Sequence, residues 1–121
     1  MQALYERLRV WQLAHELTLE IYKVTATFPS SEKYGLTAQL RRAAAAVPTN
    51  IVEGNARRHR REYIHYCLIA RASIAEVKYL LRLSLDLGFL SAERYESLFA
   101  GYNEVGKMLQ AMINQLDHSN P

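Results

Sequence analysis

The side chains of this chain whose chemistry is most readily named form a cationic run near its middle. The run consists of Arg57, Arg58, His59, Arg60 and Arg61. Guanidinium groups bind phosphate oxygens through charge-assisted hydrogen bonds, and a cluster of them gives strong, salt-dependent affinity without base specificity. The run therefore predicts a phosphate-contacting corner for a polyanion such as RNA or DNA.

Further basic residues would extend this surface. On a helical wheel, Arg60 shares a narrow stripe with Arg71, Lys78 and Arg82. These three residues are therefore included in the predicted nucleic-acid-binding set.

A structural interpretation of the cationic run competes with the functional one. The arginines could begin a solvated helix and pair with carboxylates such as Glu53 and Glu62. Arginine at a helix N-terminus opposes the helix dipole, which makes a purely structural reason less satisfactory. The net charge of +3 is too small to decide between the two.

The sequence does not contain the full residue patterns that an enzyme or a metal site requires. Glu62 and His65 have the Glu-x-x-His spacing of di-iron four-helix bundles, but such a site requires a second motif and two more glutamates. The sequence also lacks a phosphate-binding glycine loop and a supported nucleophile–base pair. Cys67, on an apolar helical face, is predicted to be a buried core thiol. We expect no catalysis, metal or cofactor, and a metal-binding bundle is the least favoured alternative.

Helical periodicity predicts four long helices that position these residues. Their ranges are 4–27, 34–54, 60–87 and 92–116, followed by a frayed polar tail at 117–121. Ser91 is the predicted N-cap of the fourth helix. Because short connections make consecutive helices antiparallel, the predicted fold is an all-α, up-down-up-down four-helix bundle in one domain, residues 1–121.

The predicted location is the cytoplasm. The sequence contains no run of about 18 uncharged apolar residues that could span a bilayer. Its N-terminus carries Glu6, Arg7 and Arg9 and lacks the apolar core of a secretion signal. We therefore expect no membrane partner.

The second predicted helix contains two departures from an ordinary surface helix. Pro48 lies inside the apolar repeat, where it removes the hydrogen bond to residue 44 and is predicted to kink the helix. Polar side chains also lie beside the packed positions, and we predict a buried polar cluster that sets the packing register. Its members are Arg41, Arg42, Asn50, Glu53 and Glu76.

The third predicted helix is apolar around most of its circumference. A helix of a single four-helix bundle needs only about three positions in seven to face the core. Since a large exposed apolar face usually marks an interface, the excess predicts that the chain assembles with further copies of itself.

Spaced residues over most of the chain resemble the 23S rRNA intervening-sequence proteins, a bacterial four-helix-bundle family. The resemblance is carried by Phe28-Pro29, Glu32, Tyr34-Gly35-Leu36-Thr37, Gln39-Leu40-Arg41-Arg42-Ala43, Val47-Pro48, Asn50-Ile51, Glu53-Gly54, Arg57, Glu62, Ala70-Arg71, Ser73, Glu76 and Leu87-Gly88. It implies a closed ring, most often a homopentamer, and its association with rRNA genes favours RNA over DNA. Distant relatives that assist a reverse transcriptase are pentamers that bind nucleic acid.

Two positions depart from the family pattern. His59 replaces a serine that would form a capping box with Glu62, and Ala72 replaces a glycine where two backbones approach closely. The combined expectation is a non-enzymatic, oligomeric binding or structural protein. The main alternative is a protein-interaction scaffold whose basic surface contacts a protein partner.

Overall fold

The fold is all-α, as predicted. A computed structural model describes residues 2–118, and within that range it contains four α-helices and no strand. The helices are α1 (Arg9–Thr25), α2 (Leu36–Asn55), α3 (Arg60–Asp86) and α4 (Ala92–His118), with single 3-10 turns at Leu4–Arg7 and Ser30–Glu32.

The largest differences from the predicted ranges lie at the first helix and at the tail. The predicted helix 4–27 is divided, because Leu8 adopts an extended backbone conformation between the first 3-10 turn and α1. Asp117 belongs to α4 instead of a frayed tail, while residues 119–121 of that prediction lie outside the described residues.

Side chains cap the N-terminal ends of α2 and α4, the helices that follow the two longer connections of the bundle. The backbone N–H of Leu36 donates to the Glu32 carboxylate at 3.1 Å, which satisfies one free donor at the start of α2. At the start of α4, the N–H of Arg94 donates to the Ser91 hydroxyl at 3.1 Å, so the predicted N-cap is confirmed.

Each helix packs against its two neighbours in the cyclic order α1, α2, α3, α4. Within residues 2–118, the Cα atoms of the diagonal pairs, α1 with α3 and α2 with α4, do not approach within 8 Å. Contacts of α1 with α2 run from Thr18–Ala44 to Thr25–Arg41, so these helices are antiparallel. The structure is therefore consistent with the predicted four-helix bundle. None of the helices within this range is both long and apolar enough to cross a membrane.

The shared core is built from side chains that recur every three or four residues on each helix. Those with no measurable exposure include Ala14, Ile21, Leu40, Val47, Ile51, Cys67, Val77, Leu81, Tyr102, Val105 and Leu109. Cys67 is thus buried, as predicted. The Tyr102 hydroxyl has no hydrogen-bond partner among the described residues, and desolvation raises the pKa of this phenol above its ordinary value.

The helix α2 continues through Pro48, which is buried. Proline has no N–H, so the carbonyl of Ala44 loses its partner within the helix. The hydroxyl of Thr18 on α1 supplies a replacement: it lies 3.2 Å from the Ala44 oxygen and 2.8 Å from the Ala14 oxygen, between which its proton is shared. The proline therefore links α2 to α1.

The apolar residues of α3 lie on its outer face as well as on the face that packs in the core. Its inner face lies in the core, but large apolar side chains on the outer face remain in contact with solvent. Leu68 is 40% exposed, Ile69 36% and Tyr79 64%. A single chain thus leaves the predicted apolar excess of α3 uncovered.

A double-mutant cycle can test the link between α1 and α2. Thr18→Val should lower the free energy of unfolding by about 1–3 kcal/mol, because it leaves a buried carbonyl without a donor. In a Pro48→Ala background the N–H of residue 48 can return to Ala44, so the same substitution should cost about 1 kcal/mol less. Urea unfolding of the four proteins measures this difference.

Ser84→Ala provides the matched control for that cycle. The Ser84 hydroxyl is also buried and donates to a carbonyl of its own helix, that of Leu80 at 2.7 Å. Its substitution should cost the same with and without Pro48. Equal Thr18→Val costs in both backgrounds would show that the hydroxyl does not replace the missing N–H.

Candidate nucleic-acid interface

The cationic run forms the connection between α2 and α3 and the first turn of α3. α2 ends at Asn55, and the carbonyl of His59 accepts the N–H of Tyr63 at 3.1 Å to begin α3. The His59 side chain makes no capping hydrogen bond. This agrees with the prediction that histidine does not replace the capping serine of the family pattern.

A close contact between α2 and α3 holds this connection in place. A Cβ atom built on Gly54 would lie 2.9 Å from Cδ1 of Tyr63 and 3.0 Å from Cβ of Tyr66. Only glycine allows the two helices to approach so closely at this point. The Asn55 side-chain amide also donates to the Tyr63 hydroxyl at 3.3 Å. Burial is the main cause that raises the pKa of Tyr63.

Arg57 has a structural role in the same contact. Its guanidinium group donates to the Glu53 carboxylate at 3.2 Å and to the Tyr66 hydroxyl at 2.8 Å, and lies 4.8 Å from the centre of the Tyr66 ring. Arg57 thus joins the end of α2 to α3. For this residue the structure agrees with the alternative prediction of pairing with a carboxylate.

The rest of the run lines an open cavity of about 610 Å³ at one end of the bundle. Its lining consists of Arg58, His59, Arg60, Arg61, Ile64, Leu116 and Asp117. We call these residues the basic corner. Asp117, near the C-terminal end of α4, is the one carboxylate in this lining, so the cavity carries an excess of positive charge.

Within residues 2–118, neither Arg58 nor Arg61 forms an ion pair. Both side chains are exposed. Their charges are therefore open to solvent at a site that includes the positive N-terminal end of α3 and the negative C-terminal end of α4. Such an arrangement can bind phosphate oxygens.

The remaining cations of the predicted set lie away from the corner. Arg71 is ten residues beyond Arg61, which is about 15 Å along a helix. Arg71 donates to the side chain of Gln110, and the Lys78 ammonium lies 5.0 Å from the centre of the Phe99 ring. Both residues line a separate groove between α3 and α4. Arg82 pairs with Asp86 at 3.1 Å and lines neither cavity.

The predicted buried polar cluster does not form within the chain. Arg41 donates to Thr25 and to the carbonyl of Tyr22, and Asn50 donates back to the carbonyl of Ala46. The remaining members, Arg42, Glu53 and Glu76, are exposed. Their positions relative to the apolar residues indicated burial, but these side chains project from the outer surfaces of α2 and α3.

The side chains of the Glu-x-x-His motif are both exposed on α3. Within residues 2–118, no three histidine, cysteine, aspartate or glutamate side chains are close enough to hold a metal ion together.

Two charged residues that line these cavities were not among the predicted site residues. Lys107 on α4 lies opposite Arg71 and Lys78, and Asp117 lies in the basic corner. Sequence spacing could have placed each on a helix face. The identity of the residues across from them depends on the register between α3 and α4, which has no signal in the sequence.

Comparison with known proteins identifies the class to which this fold and site belong. The sequence profile of the family described as 23S rRNA-intervening sequence protein matches residues 6–111. The chain therefore belongs to that family, which confirms the resemblance seen in its sequence.

A solved structure supports the fold. It is the crystal structure of a protein of unknown function from the S23 ribosomal protein family of Bacteroides thetaiotaomicron, with a TM-score of 0.78 and 24% sequence identity. The similarity covers 86% of this chain and 97% of that one. A comparison with curated proteins gave no match.

The close contact at Gly54 predicts that a glycine-to-alanine substitution there lowers the free energy of unfolding instead of raising it. Replacing glycine by alanine inside a helix normally stabilises it by about 0.5–1 kcal/mol. Gly54→Ala should instead destabilise the protein by about 1–3 kcal/mol, because the new methyl group overlaps Tyr63 and Tyr66. Gly106→Ala is the matched control, since no atom lies within 4 Å of its added Cβ. Stabilisation by both substitutions in urea unfolding would contradict the close contact.

The buried thiol predicts a loss of stability in alkali. Burial raises the pKa of Cys67 to about 11, whereas an unfolded thiol ionises near 8.5. The unfolded chain therefore loses its thiol proton first, and the free energy of unfolding should fall by about 2–3 kcal/mol as the pH rises from 8.5 to 11.

Cys67→Ala isolates this contribution from that of the buried tyrosines, which titrate in both proteins. Urea unfolding between pH 8 and 11 should show a steeper decline for the unsubstituted chain than for the variant. Parallel pH profiles would contradict the assignment to Cys67.

Proposed function

We propose that this protein is a non-enzymatic, RNA-binding protein that acts as an assembly of several copies and contacts phosphates through the basic corner. The cytoplasm is the compartment that we propose for this role. Four consecutive residues, Arg58 to Arg61, contribute side chains to a single cavity. This convergence is the observation that supports the proposal most directly.

The shape and charge of the corner suit a phosphate backbone. The cavity is open and lined by three guanidinium groups against one carboxylate. Guanidinium groups bind phosphate oxygens through paired hydrogen bonds. Contacts to phosphate carry no base information, so the expected binding follows charge and backbone shape.

The choice of RNA over DNA rests on the family. Its description names an intervening sequence of 23S rRNA. The residues of the corner bind phosphate in either nucleic acid, so the family supports RNA as the first polyanion to test.

The exposed apolar residues of α3 support self-assembly. Leu68, Ile69 and Tyr79 are exposed on the outer side of the helix, and coverage by another subunit would remove them from water. A closed ring, with five copies as the number favoured by the family resemblance, would repeat the corner once per subunit. Repetition raises the avidity for a long polyanion without any new contact.

A salt-titrated binding measurement tests the corner. The full-length protein should bind structured RNA with an affinity that falls steeply as salt rises. The double variant Arg58→Gln/Arg61→Gln should bind at least about tenfold more weakly at 0.1 M salt. Removing two phosphate contacts should also reduce the slope of log affinity against log salt by about 1–2 for each subunit that contacts the RNA.

Arg94→Gln is the matched control for this measurement. Arg94 is also an exposed arginine, but it lies in the first turn of α4, about 35 Å along that helix from Asp117. Its substitution should leave RNA binding unchanged. Weak binding that does not respond to salt would contradict the phosphate site and would favour a protein partner. Tighter binding of duplex DNA than of RNA would contradict the assignment to RNA.

A further inference from the structure

The α3–α4 groove has a volume of about 490 Å³ and is lined by four residues from each helix. The α3 quartet is Arg71, Ile74, Ala75 and Lys78. The α4 quartet is Asn103, Gly106, Lys107 and Gln110. Both follow the spacing i, i+3, i+4, i+7, in which four residues surround a hole that accepts one side chain of a packing helix.

Two small residues, Ala75 and Gly106, are among those that line this groove. No atom lies within 4 Å of a Cβ built on Gly106, so the space above this residue is open. Ala75, on the opposite wall, is exposed. Tyr79 lies one turn from Ala75, which makes the groove continuous with the exposed apolar face of α3. The shape therefore suits a helix that presents a large apolar side chain.

The rim of the groove carries an excess of positive charge. Arg71, Lys78 and Lys107 line it, and the lining contains no carboxylate. None of the three forms an ion pair within residues 2–118. A helix that packs into the groove is therefore favoured if carboxylates flank its apolar side chain.

The chain itself presents such a helix on another side of the bundle. Leu19 of α1 is 50% exposed, and Glu16 and Glu20 lie within one turn of it. Glu16 has no ion pair among the described residues. The Glu20 carboxylate lies 3.3 Å from Lys23 and 3.7 Å from Arg94, so its charge is offset by these two cations and Glu16 supplies the carboxylate for the groove.

We propose that α1 of a second copy occupies the α3–α4 groove, with its Leu19 above Gly106 and its Glu16 beside the cationic rim. α1 and α3 lie on opposite corners of the bundle, so the two contact surfaces face different directions. A contact between unlike surfaces is head-to-tail and generates a ring if the rotation closes. This inference rests on the self-assembly proposed above and identifies the surfaces that form it.

Two single substitutions test the contact from its two sides. Leu19→Lys places a positive charge against the cationic rim, and Gly106→Leu fills the open space above residue 106 on the other surface. Each should raise the dissociation constant for assembly at least about tenfold in sedimentation velocity at micromolar concentration. Leu4→Lys is the control, because Leu4 is 74% exposed and lies outside both surfaces.

Mixing the variants distinguishes a head-to-tail contact from a two-fold one. The Leu19→Lys chain retains an intact groove, and the Gly106→Leu chain retains an intact α1 surface. Together they should form a one-to-one dimer that neither variant forms alone. Glu16→Lys should also weaken assembly, and adding Lys107→Glu in the same chain should restore it, which a folding defect could not do.

The outcomes separate this inference from the broader proposal. If the unsubstituted protein sediments as a single chain, both self-assembly and this contact are overturned. If it assembles and Leu19→Lys and Gly106→Leu leave the assembly unchanged, only the contact is overturned. Loss of RNA binding without loss of assembly in Gly106→Leu would assign the groove to RNA and would also overturn it.

Discussion

The close approach of α2 and α3 at Gly54 is the constraint on which the position of the basic corner depends. The backbone of α2 lies against the rings of Tyr63 and Tyr66, with no room for a Cβ atom. Arg57 then spans the same contact by donating to Glu53 and Tyr66. Because the end of α2 is fixed in this way, residues 58–61 follow the contact directly and line one cavity at the end of the bundle. The convergence of their charges is a consequence of packing.

Ion pairs within the chain decide which cations are available to a ligand. Arg57, Arg82 and Lys23 each have a carboxylate within one helical turn, and Arg94 lies 3.7 Å from Glu20. Within residues 2–118, Arg58 and Arg61 of the basic corner have no ion pair, and neither do Arg71, Lys78 and Lys107 of the α3–α4 groove. Other cations without an ion pair, Arg7, Arg9, Lys33, Arg41 and Arg42, line neither cavity. A net charge of +3 therefore understates two local concentrations of positive charge. This distribution, more than the total, supports a role in binding polyanions.

The fold was largely predictable because helical periodicity and capping are local properties. The four helices and the Ser91 cap follow from spacing along one segment. The sites were less predictable, because they depend on register and side-chain direction. Spacing alone could not show that Thr18 donates to the carbonyl that Pro48 leaves without a partner. It also could not show that Arg57 donates to the Tyr66 hydroxyl, or that the Glu76 side chain is exposed to solvent.

The two proposals together divide the predicted basic surface into separate uses. If α1 of a neighbouring subunit fills the α3–α4 groove, Arg71 and Lys78 are covered by that contact and cannot reach nucleic acid. The basic corner lies at the end of the bundle, where side-to-side packing of subunits leaves it open. The stripe of basic residues predicted from the helical wheel would then have two uses. Arg71 and Lys78, along the middle of α3, would serve assembly, and Arg60, at its N-terminal end, would serve phosphate binding. A ring built this way would present its positive charge at one rim, because every subunit has the same orientation relative to the ring axis.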